Sequence, residues 1–181
     1  MRELVFTLGR RDVLAVVIGD GDALDSARHL ALDLGLEPYV HFTGRLPELE
    51  CRRHLSAADV CVQPDPLSPL NDKSTMNKLM EYMALGKATV AFDLPETRVS
   101  GGDAAVYVAG NDEREFARQV DRLLNDASER ERMGEIGRRR VSTALAWEFS
   151  VPSLVRAYTE GLGLASRTAR LADAADRNGR A

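Results

Sequence analysis

The run Asn71-Asp72-Lys73-Ser74-Thr75-Met76-Asn77-Lys78-Leu79-Met80-Glu81-Tyr82-Met83-Ala84-Leu85-Gly86-Lys87 concentrates the residues best able to do chemistry. Ser74 and Thr75 are good N-cap residues, and Gly86 is a good stop, so the spacing predicts a helix over residues 74–85. A helix start that follows a strand and a loop presents free backbone N–H groups and the positive end of the dipole to an anion. Lys78 lies one turn in, with Asn77 beside it, and Glu81 follows three residues later, close to the same face. Amides and a cation suit a diphosphate, and a carboxylate one turn deeper suits sugar hydroxyls. The same pair also reads as a surface ion pair between Lys78 and Glu81, worth a few tenths of a kcal/mol. Spacing alone leaves both readings open.

The elements that must position these residues follow from the apolar pattern. Leu14-Ala15-Val16-Val17-Ile18 is a β-branched run ended by Gly19-Asp20-Gly21-Asp22, which predicts a buried strand. Leu24, Ala27, Leu30, Ala31 and Leu34 recur at helical spacing and stop at Gly35. Further strands are predicted at Tyr39-Val40-His41-Phe42, Val60-Cys61-Val62, Ala88-Thr89-Val90-Ala91-Phe92 and Ala105-Val106-Tyr107-Val108, and a helix over residues 46–58 opened by Pro47 and Glu48. Strands of about five residues alternating with helices of about twelve make a doubly wound α/β domain, a parallel sheet with helices on both faces. Helices over residues 112–125, 128–145 and 151–162 follow it. Ligands of such sheets sit outside the carboxyl ends of the strands, where strand order reverses. That rule directs attention to residues 19–22, Gly44 and Arg45, residues 64–74 and residues 93–97. One Rossmann-like domain is expected over residues 1–163, with a polar, frayed tail over 164–181.

Composition narrows the function classes. The chain has 181 residues, 44% hydrophobic and 29% charged, with 24 basic against 28 acidic side chains and a net charge of −4. Such a chain is globular rather than disordered, and its balance argues against nucleic-acid binding through bulk charge. No apolar run approaches the roughly 18 residues of a membrane span, and the first residues lack the apolar core of a signal peptide. Cys51 and Cys61 both fall in segments that read as buried, which suits reduced thiols in a cytoplasmic protein, with attachment to the inner face of the membrane left open.

Smaller features read as structural. Gly19-Asp20-Gly21-Asp22 is too short for a phosphate or calcium loop, so Asp22 is expected as a helix N-cap. His29, His41 and His54 lack partners at metal-ligand spacing, and no metal is expected. Asp93 and Glu96 reach the carboxyl end of a strand and read equally as cleft residues or helix N-caps. Trp147 and Tyr158 read most simply as packing anchors.

Taken in register, these landmarks resemble the C-terminal, nucleotide-sugar-binding domain of GT-B glycosyltransferases, specifically the retaining group 4 family. The resemblance runs over nearly residues 10–160. It rests on Val17-Ile18-Gly19-Asp20-Gly21, Val40-His41-Phe42-Thr43-Gly44-Arg45, Leu55-Ser56-Ala57-Ala58-Asp59-Val60-Cys61-Val62-Gln63-Pro64 and Met80-Glu81-Tyr82-Met83-Ala84-Leu85-Gly86-Lys87, with Asp121-Arg122-Leu123-Leu124 and Arg132-Met133-Gly134 beyond. It implies that Glu81 hydrogen-bonds the ribose, that Gly19 lets the nucleotide lie against its strand, and that Gly44 and Arg45 frame the base. It further implies that backbone amides at Ser74 and Thr75 meet the diphosphate or sugar and that Lys78, with Asn77 beside it, contacts the diphosphate. Two departures stand out. Eight positions before Glu81, where the family has a sugar-contacting glutamate, this chain has Lys73, preceded by Asp72, so either the loop shifts by one and Asp72 contacts the sugar, or sugar recognition at Lys73 differs. The family's first strand with its basic glycine-rich turn also has no counterpart, since Arg2 to Leu8 read as the end of the following helix.

The resemblance implies transfer of a sugar from a nucleotide-diphosphate sugar to an acceptor the sequence does not identify, with retention and without a catalytic metal. Lys78 and Glu81 would be the central residues. A separate N-terminal acceptor domain, or self-association, would complete the cleft. The alternative is a non-catalytic Rossmann-like domain that binds nucleotide weakly or pairs with such a domain.

Overall fold

The structure is a computed structural model and describes residues 1–163. It forms two compact units, one comprising Met1–Val141 and the other beginning at Ser142. The expected polar tail lies outside the described residues.

In the first unit, a wide helical turn over Glu3–Thr7 precedes β1 (Ala15–Ile18), α1 (Leu24–Asp33), β2 (Val40–Gly44) and α2 (Glu48–Ala57). Then come β3 (Cys61–Gln63), α3 (Asn77–Ala84), β4 (Thr89–Phe92), α4 (Pro95–Gly101), β5 (Ala105–Val108), α5 (Glu113–Asn125) and α6 (Ala127–Arg140). The α/β alternation read from the apolar runs is therefore present, and every strand pair is parallel. The single sheet expected is, among the described residues, two hydrogen-bonded ladders in the orders β1-β2 and β3-β4-β5.

Each ladder has its own core. Val5, Ala31 and Leu36 are buried beside β2, with Val13, Tyr39, Val40 and Phe42 packed on them. Ala88, Val90, Phe92, Val108, Leu123 and Met133 form the other core, where α5 covers β4 and β5 and Met133 reaches in from α6. Phe92 and Phe116 meet there with ring centroids 4.9 Å apart. Arg10 links the halves, donating at 2.8 Å to Asp121 and at 3.0 Å to Asn125 of α5.

Several local expectations shift. Asp22 does not cap α1, whose N-cap is Ala23 with no side-chain bond. Neither Asp93 nor Glu96 caps α4, since Leu94 holds that place. Cys61 is buried as expected, but Cys51, on α2, is only half-buried. α6 stops at Arg140, and a wide turn over Val141–Leu145 follows. In the second unit, α7 (Trp147–Gly161) starts earlier than the periodicity indicated, and Trp147 and Tyr158 are exposed rather than anchored in a core. No helix of the described residues is long and apolar enough to cross a membrane.

Candidate functional site

The strongest constellation lies beyond the carboxyl end of β3, in a loop whose backbone is tied at several points. Leu67 N–H donates to Asn111 Oδ1 at 3.1 Å, and Asn71 Nδ2 donates to the Pro66 carbonyl at 2.8 Å. A tight helical turn over Asn71–Lys73 closes the loop, with Asp72 N–H on the Ser68 carbonyl and Ser74 N–H on that of Asn71.

α3 therefore starts at Asn77, later than its N-cap candidates suggested. Ser74 spends its hydroxyl on the Leu70 carbonyl, 2.7 Å away, and Thr75 donates to Glu96 at 3.2 Å. Met76 is the N-cap residue and no side chain caps the helix. Its first amides are thus left without an internal side-chain partner, which keeps the anion-binding potential of the helix start but removes Ser74 and Thr75 from the capping role.

The helix is held from behind. Leu79 and Met83 are fully buried. On α6, Gly134 and Gly137 let α3 approach so closely that a methyl group at Gly134 would overlap the carbonyl of Gly86, and one at Gly137 would press on Met83. With that face fixed, Asn77 and Glu81 are exposed and Lys78 is half-buried.

Lys78 is not paired with Glu81, so the surface ion pair left open by spacing is not formed. Its ammonium lies 2.9 Å from both carboxylate oxygens of Asp65. Asp72 is half-buried, and its Oδ1 is buried with no hydrogen-bond partner; Lys73 beside it is exposed. A buried acceptor without a donor is costly and uncommon in native proteins, and is met by water or a ligand.

The other candidates stand at the ends of β1 and β2. Gly19 N–H donates to the Gly44 carbonyl at 2.9 Å, which brings these two together. Their φ values are 143° and 67°, and a Cβ at either would meet nothing within 4 Å, so backbone conformation rather than crowding calls for glycine. Arg45 is exposed. Asp93 binds Arg98 through both oxygens, and that guanidinium holds its carboxyl below the usual range.

Burial pushes the Cys61 thiol up to about 11, against the pull of Lys87. Such a thiol is inert rather than nucleophilic. Among the described residues no three His, Cys, Asp or Glu side chains are grouped to hold a metal ion. A cavity of about 440 Å³ is lined by Arg2, Glu3 and residues 110–114.

Asp65 carried no helical or strand-like signal, and its part in the site emerges only from its contact with Lys78. The hints in the sequence are its place in the loop at the carboxyl end of β3 and between two prolines, Pro64 and Pro66.

Comparison with known proteins identifies the family and the fold. The family model described as "Glycosyl transferases group 1" matches residues 3–126. The chain is 30% identical over 146 residues to the lipopolysaccharide core biosynthesis glycosyltransferase LpsE of Rhizobium meliloti, covering 80% of this chain and 40% of that protein. It is also 30% identical over 161 residues to the D-inositol 3-phosphate glycosyltransferase of Thermobifida fusca, covering 84% and 36%. The chain thus spans about two-fifths of the length of these relatives.

Among solved structures, a glycosyltransferase from Rickettsia africae superposes with a TM-score of 0.75 at 15% identity, covering 89% of this chain and 43% of that one. Anabaena HepE in complex with UDP gives 0.62 at 20% identity, covering 88% and 44%. These likenesses establish the Rossmann-like GT-B fold. With the family model matched across both ladders and the loop before α3, the chain belongs to the glycosyl transferases group 1 family.

Proposed function

We propose that this chain is the donor-binding part of a retaining glycosyltransferase, receiving a nucleotide-diphosphate sugar at the start of α3. The observation that carries this reading is one loop-and-helix unit combining three features. These are an uncapped helix start, a lysine held in the first turn, and a buried carboxylate oxygen of Asp72 with nothing bonded to it. Amides of the first turn, with Asn77 and Lys78, meet the diphosphate. As the glycosidic bond to the leaving diphosphate breaks, the prearranged amide dipoles of the helix start face the growing charge, and Lys78 adds one aimed hydrogen bond.

Asp72 takes the place of the sugar-contacting carboxylate, whereas Lys73 is exposed. Ser74 and Thr75 shape the approach, their hydroxyls being committed to Leu70 and Glu96. Glu81, exposed one turn deeper, accepts the ribose hydroxyls. Gly19, Gly44 and Arg45 receive the nucleoside. The acceptor and the group that activates it come from outside these residues, from a separate domain or partner.

One observation favours the alternative of a binding module without turnover: Lys78 and Thr75 are each already bonded to a carboxylate, which weakens the pull on a diphosphate.

Calorimetric titration with UDP and GDP tests the reading. Binding in the wild type, weakened at least about tenfold by Glu81→Ala and by Lys78→Ala, is expected from the loss of one charged hydrogen-bonding group each. Unchanged affinity in both variants would remove the assignment.

A further inference from the structure

We infer that Asp65 sets the anion selectivity of the α3 site: by holding Lys78 and cancelling its charge, it favours a diphosphate still joined to a sugar over the free diphosphate. The inference rests on the diphosphate reading given above.

Asp65 stands between Pro64 and Pro66. Proline fixes φ, and a residue before proline is confined to extended backbone, so the carboxylate is mounted on a stiff piece of chain. Both oxygens lie 2.9 Å from the Lys78 Nζ. The two side chains are 20% and 41% exposed, so the pair is partly shielded from water rather than lost in it. It spans from the end of β3 to the first turn of α3 and fixes where the ammonium points. An ammonium has three N–H donors. With Asp65 opposite two of them, one remains for a ligand.

Lys78 therefore enters binding as an aimed donor within a neutral pair rather than as a free positive charge. The surroundings sharpen the effect. The segments around the helix start carry Asp65, Asp72, Glu81 and Glu96 against Lys73 and Lys78. A diphosphate esterified at both ends carries two ionised oxygens, while one with a free end ionises a third time near pH 6. Each added negative charge is less welcome where the lysine is already compensated. The sugar-linked form is then admitted, and the diphosphate left after its sugar departs is released more readily.

Titration of the full chain at low salt with UDP, UDP-glucose, GDP and GDP-mannose tests this. In Asp65→Asn the uncompensated lysine should tighten the free diphosphates about fivefold and the sugar-linked forms only about twofold, with a steeper salt dependence. Asp65→Glu keeps the charge and should keep the wild-type ratio of the two affinities. Wild-type binding with an unchanged ratio in Asp65→Asn overturns the role of Asp65 and leaves the diphosphate reading intact. Absence of binding by the wild type to all four compounds overturns both. Asp65→Ser, judged by the same ratio, serves if Asp65→Asn lacks a cooperative thermal transition.

Discussion

β4 and β1 are both four-residue parallel strands built from small and branched side chains, and the molecule treats them oppositely. All four residues of β4 are buried, and the strand is paired on both edges. Among the described residues β1 is paired on one edge only, and Val16 and Val17, which alternate to opposite faces, are each 41% exposed. Parallel strands are ordinarily covered on both faces, which is why their sequences read as continuous apolar runs. Residue type thus expresses a strand's tendency, whereas its neighbours decide its burial. The difference bears on function because α3, with Lys78 and Glu81, is mounted on the closed half, while Gly19, Gly44 and Arg45 stand on the open one.

The comparison can be broken by mutation. Leu79→Ala, which empties the core side of α3, should cost about 3 kcal/mol in denaturant unfolding, whereas Val17→Ala on β1 should stay within about 1 kcal/mol. Equal costs would mean that the two halves are not packed differently. Next comes the glycine contact behind α3. Gly134→Ala sets a methyl against the Gly86 carbonyl and should destabilise by about 2 kcal/mol, since backbone cannot move aside as a side chain can. A neutral result would show α6 free to shift.

The smallest effect is a pH dependence of the closed half. Cys61 is raised from 9.0 to about 11 by burial, so between those values the folded protein keeps a proton that the unfolded chain gives up. Its contribution is therefore complete below about pH 9 and declines as pH rises toward 11. By pH 10 the loss should reach about 1 kcal/mol, and it should be missing from Cys61→Ala. Tyr82 and Tyr107, both raised by burial, keep their protons over that range in the folded state of both proteins, so the difference between them reports the thiol.

Much of this arrangement was legible in the residues. The alternation of strand and helix, the helix bearing Lys78 and Glu81, and the loops at the strand ends all follow from local periodicity and turn residues. What escaped was non-local. Ser74 and Thr75 looked like caps, but their hydroxyls go to Leu70 and Glu96, so the helix begins at Asn77. Lys78 looked like a partner for Glu81 at i, i+3, but it turns to Asp65, thirteen residues back, where no periodic signal reaches. Asp22 and Asp93 were chemically fit to cap helices, and the chain placed Ala23 and Leu94 there instead. The apolar run of β1 announced a strand without announcing how many neighbours it would have.

The most direct measurement is a map of amide chemical shifts of the ¹⁵N-labelled chain titrated with UDP and with GDP. The largest changes are expected at Asp72, Asn77, Lys78 and Glu81, accompanied by Gly19 and Gly44 from the other half. Changes confined to Arg2, Glu3 and residues 110–114 around the 440 Å³ cavity, or none at all, would contradict the donor-binding reading.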